Sequence, residues 1–114
     1  MQKESDAQPC LWHVVLISFH DQTPEETQRE VYNLYQTLAE DCGGVEADIL
    51  FFRVDWNLDT RKGVQLVQIA VYRDNEALQA FRVHPAHHEL TNILREVADW
   101  QVGDVNLPFI PTGL

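Results

Sequence analysis

The chain has 114 residues, with 8 Lys and Arg against 18 Asp and Glu and a net charge of −10. That excess of acid argues against nucleic acid and anionic membrane as partners, and no apolar run approaches the roughly 18 residues that a membrane helix needs. The length predicts one domain able to build a core without metal or disulfide staples, and the polar start, with no leader pattern, makes a cytoplasmic location the expectation.

Residues 1–10 read as a flexible polar lead. A strand follows over 11–19, with Leu11, His13, Val15, Ile17 and Phe19 on one face and Trp12, Val14, Leu16 and Ser18 on the other. Thr23-Pro24-Glu25-Glu26 marks a helix start: Thr23 as N-cap, Pro24 at the first helical position, Glu26 closing a capping box. Apolar residues recur at Val31, Leu34, Tyr35 and Leu38, and Gly43-Gly44 supplies a left-handed stop. A second strand is predicted over 45–56, with Ala47, Ile49 and Phe51 opposed to Leu50, Phe52, Val54 and Trp56. The polar stretch 57–63 is a turn. Residues 64–72 make a third strand, with Val64, Leu66, Gln68 and Ala70 on one face and Val67, Ile69 and Val71 on the other.

Arg73-Asp74-Asn75-Glu76 turns the chain into a short helix through Ala77, Leu78 and Phe81. Pro85 lacks an N–H and suits only the first position of a helix, so His84 is a hinge or cap. The helix beyond it repeats Leu90, Ile93, Leu94 and Val97 at helical spacing, and His87 lies one turn before Leu90 on that stripe. Residues 101–107 read as a weaker fourth strand, and 108–114 as an extended arm lying on something apolar.

This order, β-α-β-β-α-β, is the α+β ferredoxin-like arrangement, an antiparallel four-stranded sheet with helices on one face. A sheet solvated on one side should alternate apolar and polar residues. Here three strands are apolar on both faces, leaving Val14, Leu16, Leu50, Phe52, Val54, Val67, Ile69 and Val71 in need of cover. Leaving such side chains wet forgoes roughly 1.5–3 kcal/mol each. Pairing of two copies through their sheets, giving a homodimeric α/β barrel, is the expected solution.

An inward imidazole must find a hydrogen-bond partner or a function. His13 and His87 are the pair that stands out: as a functional pair they act as base and orienter, as a structural pair they bond each other or Asp104. A metal set of His13, His87 and Asp104 is an alternative, though no metal and no cofactor motif is read from the sequence. Cys10 and Cys42 fit no metal spacing; a helix running back antiparallel to the first strand brings the two ends near enough for a disulfide, against which stands the reduced state of cytosolic thiols. Gln68 points among apolar neighbours on the helix side, where it satisfies a backbone group or touches a ligand.

Trp12 to Phe19, the capped helix ending at Gly43-Gly44-Val45, the run Tyr72-Arg73-Asp74-Asn75-Glu76-Ala77-Leu78, the segment Phe81-Arg82-Val83-His84-Pro85-Ala86-His87 and Val102-Gly103-Asp104 together resemble the stress-responsive dimeric α/β-barrel (Dabb) domain, over 11–107. The resemblance implies a protomer that dimerises through its sheets. It extends to plant polyketide cyclases of the olivetolic-acid type, which close a linear polyketide by aldol condensation between sheet and helices. By position, their strand histidine falls on His13, the second histidine of their His-Pro-x-His motif on His87, and a further pocket tyrosine on Tyr35. Their catalytic tyrosine falls on Phe81, which cannot donate a hydrogen bond to an oxyanion. The implied ligand side is completed by Val15, Ile17, Gln68 and Asp104. The expectation is a dimeric barrel binding a small, mostly apolar ligand; the alternative is a cyclase- or lyase-like enzyme on a polyketide-like or carbonyl substrate, with His87 as general base.

Overall fold

The structure, a computed structural model, describes residues 8–110. Its elements run β1 (Pro9–Phe19), α1 (Glu25–Asp41), a 3-10 turn (Gly44–Ala47), β2 (Ile49–Trp56), β3 (Leu66–Tyr72), α2 (Asn75–Arg82), α3 (Pro85–Val97) and β4 (Ala98–Pro108). The strands form one antiparallel sheet in the order β2-β3-β1-β4. This is the expected ferredoxin-like protomer, with the second helical segment divided in two at His84. Pro85 opens α3, and His84 caps it by accepting the Ala86 N–H on Nδ1 at 3.0 Å. Asp74 caps α2 in the same way through Ala77.

The helices lie on one face of the sheet, and the core forms there. Ile17, Leu66, Ala70 and Tyr72 on the strands are fully buried, against Val31 on α1, Leu78 on α2 and Leu90 and Leu94 on α3. Gly43 stops α1 with φ 108, a conformation open to glycine at no steric cost, and a Cβ there would sit 2.8 Å from that of Ala47. Among the described residues no helix is long and apolar enough to cross a membrane.

Several expectations are corrected. Thr23 does not cap α1: its hydroxyl donates to the Val97 carbonyl at 3.0 Å, which also accepts the His20 N–H, and α1 begins after Pro24 without a side-chain cap. Residues 44–47 are not strand but a 3-10 turn closed by Asp48 in the left-handed region (φ 64). Within β2 the register shifts between Ile49 and Phe51, a bulge at Leu50. The bulge moves Phe52 and Val54 onto the helix side, where Val54 is buried and Phe52 meets Phe81, and sends Phe51 to the outer face. The lead ends earlier than expected, since Pro9 and Cys10 already pair with Pro108 and Leu107. Strand β4 follows α3 with no loop and pairs along the whole of β1, so it is not weak.

The outer face keeps its apolar character. Trp12, Val14, Leu16, Phe51 and Val67 are half-buried there, and Ile69 is 39% exposed. Val71 is covered by the start of the C-terminal arm, where Phe109 meets Trp12 and Phe51 at ring-centroid distances of 5.7 and 6.1 Å. The rest of the arm, 111–114, lies outside the described residues, as does most of the lead.

Candidate functional site

Where α2 and α3 leave the sheet, a cavity of about 90 Å³ opens between them and β1, β3 and β4. Its polar wall is made by His13, Tyr35, Gln68, Arg82, His87 and Thr91, and its apolar wall by Val15, Leu78, Phe81, Leu94, Trp100 and Val102. Six polar side chains thus face six apolar ones, and the apolar ones supply the larger share of the surface. His13 and Gln68 form the deep end, each at most 5% exposed. Residues on α2 and β4 form the open end, with Trp100 at 38%.

The β1–β4 register places His13 directly opposite Asp104. The ring donates Nδ1–H to the carboxylate across 2.6 Å, which fixes the tautomer and leaves Nε2 for the cavity. Gln68 comes from the β3 position facing Val15, and its amide has no hydrogen-bond partner among the described residues. Tyr35 reaches the cavity from α1, its phenol pushed far above the ordinary range by burial. His87 packs edge-on against Phe81, with ring centroids 4.8 Å apart, and its Nδ1 is buried without a partner.

Burial is the main cause that pushes His87 down from 6.5 to about 4, helped by the nearby His88, Arg82 and His13. The ring is therefore neutral at physiological pH. The unfolded chain protonates this residue near pH 6.5 and the folded chain near pH 4, so between them the unfolded state holds more protons. Stability falls as the pH drops through that window. His87→Gln should remove this part of the slope, read as the difference between wild-type and variant urea midpoints from pH 7 downward; parallel profiles would show a ring that titrates normally.

Behind the cavity stands Tyr72, fully buried on β3 and packed between His13 and Phe81 with centroids at 5.8 and 5.3 Å. Its hydroxyl has no partner. A buried hydroxyl left unbonded costs about 1–3 kcal/mol, so Tyr72→Phe should raise the melting temperature. A lower melting temperature would reveal a partner for the hydroxyl in solution.

Of the residues expected from sequence, His13, His87, Tyr35, Phe81, Gln68 and Val15 all line the cavity. Asp104 stands one step back, bonded to His13, and Ile17 is sealed in the core at 0% exposure. No three His, Cys, Asp or Glu gather in a metal-binding group among the described residues, so the set His13, His87 and Asp104 does not assemble. Cys10 and Cys42 are both buried and free. Sequence reasoning missed Arg82, Thr91, Trp100 and Val102. Thr91 was readable as one turn after His87; Trp100 depends on a strand that starts three residues before its expected beginning, and Val102 on the register that sets it opposite Val15.

Four antiparallel strands, helices on one face and a cavity between the layers define a ferredoxin-like protein with a helix–sheet site. Residues 11–107 match the Stress Responsive A/B Barrel Domain, and the chain belongs to that family, Dabb. Among solved structures it is similar to a dimeric ferredoxin-like protein of unknown function from Thermobifida fusca, with a TM-score of 0.75 and 15% identity over 88% of this chain and 92% of that one. It is similar also to a Dabb family protein from Mesorhizobium loti, at TM-score 0.65 and 15% identity over 90% and 99% of the two chains. SnoaB, a cofactor-independent oxygenase from Streptomyces nogalater, superposes with a TM-score of 0.64 at 16% identity, covering 90% and 96%. No curated protein matches the chain.

Proposed function

We propose that this Dabb protein works as a homodimer, paired through the outer faces of its sheets, and binds a small ligand in the helix–sheet cavity without acting on it chemically. One observation carries the reading: the Gln68 amide, almost wholly buried, faces a void with no protein partner. Its polar atoms open onto the cavity, and a ligand there takes the bonds that water otherwise makes. A void of about 90 Å³ suits a compact ligand better than a long polyketide chain. A thermal-shift panel of phenols, ketones and small acids tests this. Binding by one of them, lost in His87→Ala at unchanged stability, is expected; a panel with no shift at millimolar concentration sinks the proposal.

The second reading, a cyclase- or lyase-like enzyme on a carbonyl substrate, is favoured by the His13–Asp104 pair, in which a carboxylate holds a histidine as in many acid–base sites. Against it, Phe81 offers no donor where the family's cyclases place a tyrosine. His87 near pKa 4 is also a poor proton acceptor for a carbon acid at neutral pH. Turnover of a linear polyketide thioester, abolished by His87→Ala, would favour the enzyme.

A further inference from the structure

The charge around the cavity runs against the charge of the chain. With 18 acidic and 8 basic residues overall, a wall of average composition would be acidic. Each of four other surface depressions sets at least one carboxylate beside its cation: Glu25 beside Arg29, Asp55 and Asp59 beside Arg53, Asp99 beside Lys62, and Glu40 beside Arg53. The helix–sheet cavity carries Arg82 with no carboxylate in its lining, the one nearby acid, Asp104, standing behind His13 and bonded to it. Arg61 and Arg73 are paired with Asp59 and Asp48, and Arg53 with a carbonyl and the Phe51 ring. The Arg82 guanidinium has no carboxylate partner among the described residues.

Position gives the arrangement a direction. Arg82 ends α2 and is exposed, so it stands at the mouth. Gln68 and His13, nearly inaccessible, stand at the floor. Between the two polar ends lie Val15, Phe81 and Leu94.

We infer that the cavity takes a small organic monocarboxylate, its carboxylate on Arg82 at the mouth, its apolar body between Phe81 and Leu94, and a hydroxyl or carbonyl on Gln68 and His13 at the floor. The inference rests on the ligand-binding reading above and names the ligand class for it. Guanidinium forks match carboxylates in shape as well as charge, and a hydrogen-bonded floor selects ligands with a polar group at the far end.

Calorimetry with 4-hydroxybenzoate, 4-hydroxybenzamide and benzoate separates the parts. On the wild type the hydroxy acid should bind about tenfold more tightly than its amide, as a charge-assisted pair at a wet mouth implies, and more tightly than benzoate. Arg82→Gln should bring acid and amide level, and Arg82→Lys should restore part of the preference. Equal affinity of acid and amide for the wild type leaves the cavity as a binding site but overturns the carboxylate. An Arg82→Gln protein that keeps the preference, or loses only stability, overturns it too, since Arg82 then merely answers the dipole of α2. No binding by any of the three overturns the carboxylate, and the ligand-binding reading falls with it where the wider panel of phenols, ketones and acids is silent too.

Discussion

Truncating Leu94 to Ala is expected to lower the free energy of unfolding by about 2–5 kcal/mol. Leu94 is 1% exposed, sits on the buried stripe of α3 and forms part of the cavity wall. Deleting its isopropyl end removes the transfer energy of three carbons and adds their volume to a void that already exists. The polar floor and the rim of α2 hold the wall apart, so the new space has little chance to collapse, which places the cost in the upper half of the range. For a domain of this size the loss corresponds to a fall of roughly 10–20 °C in melting temperature. Urea midpoints at a fixed protomer concentration, with an unchanged m-value, measure it. The same variant should accept a bulkier apolar ligand than the wild type, and that ligand should return part of the lost stability. A cost below about 1 kcal/mol would mean that the cavity closes in solution and the site has no fixed volume.

How far the fold could be read beforehand depended on whether each segment carried one periodic signal or two. In α1, Val31, Tyr35 and Leu38 repeat at helical spacing against polar neighbours, and all three are buried. The segment Ile49-Leu50-Phe52-Val54 has apolar residues of both parities, so nothing in it signals which face is inside. One extra residue at Leu50 then reverses every assignment after it. Val45 and Ala47 look like the start of that strand, yet left-handed backbone at Gly44 and Asp48 winds them into a turn that leaves Val45 68% exposed. A positive φ at an aspartate leaves little mark on the sequence.

The site divides the same way. Their inward positions singled out His13 and His87, the resemblance added Tyr35 and gave Phe81 its meaning, and the cavity brings the four together. What decides the chemistry is tertiary. Asp104 holds His13 because eleven consecutive pairs align β1 with β4, and His87 is neutral because α2 and Phe81 close over it. Neither follows from local spacing. Arg82 drew no notice in the sequence, where it reads as one more surface cation in the last turn of a helix.

Val14→Glu is expected to leave a folded protomer and abolish the proposed dimer. Val14 lies on the outer face of β1, a central strand, paired with Ile69 of β3 and Gly103 of β4. Neither neighbour offers a counter-charge. A glutamate at Ile69 would instead find Arg53 directly across the β2–β3 pair, so the central valine is the cleaner probe. In the separate protomer the position is only half-buried, and a carboxylate there can turn to water at the cost of some strand propensity, about 1 kcal/mol or less. In a dimer closed through these faces the carboxylate loses that water, and the two-fold axis doubles the penalty because both copies carry it. An unpaired buried charge costs about 3–5 kcal/mol, so two of them would weaken association by a factor on the order of a thousand or more. Sedimentation equilibrium of wild type and variant across the micromolar range reads this directly, with circular dichroism confirming the fold. An unchanged dimer in Val14→Glu would place the interface elsewhere and leave Trp12, Leu16 and Val67 facing solvent. At roughly 1.5–3 kcal/mol per wetted side chain, a domain whose net stability is about 5–15 kcal/mol has little room for such a face.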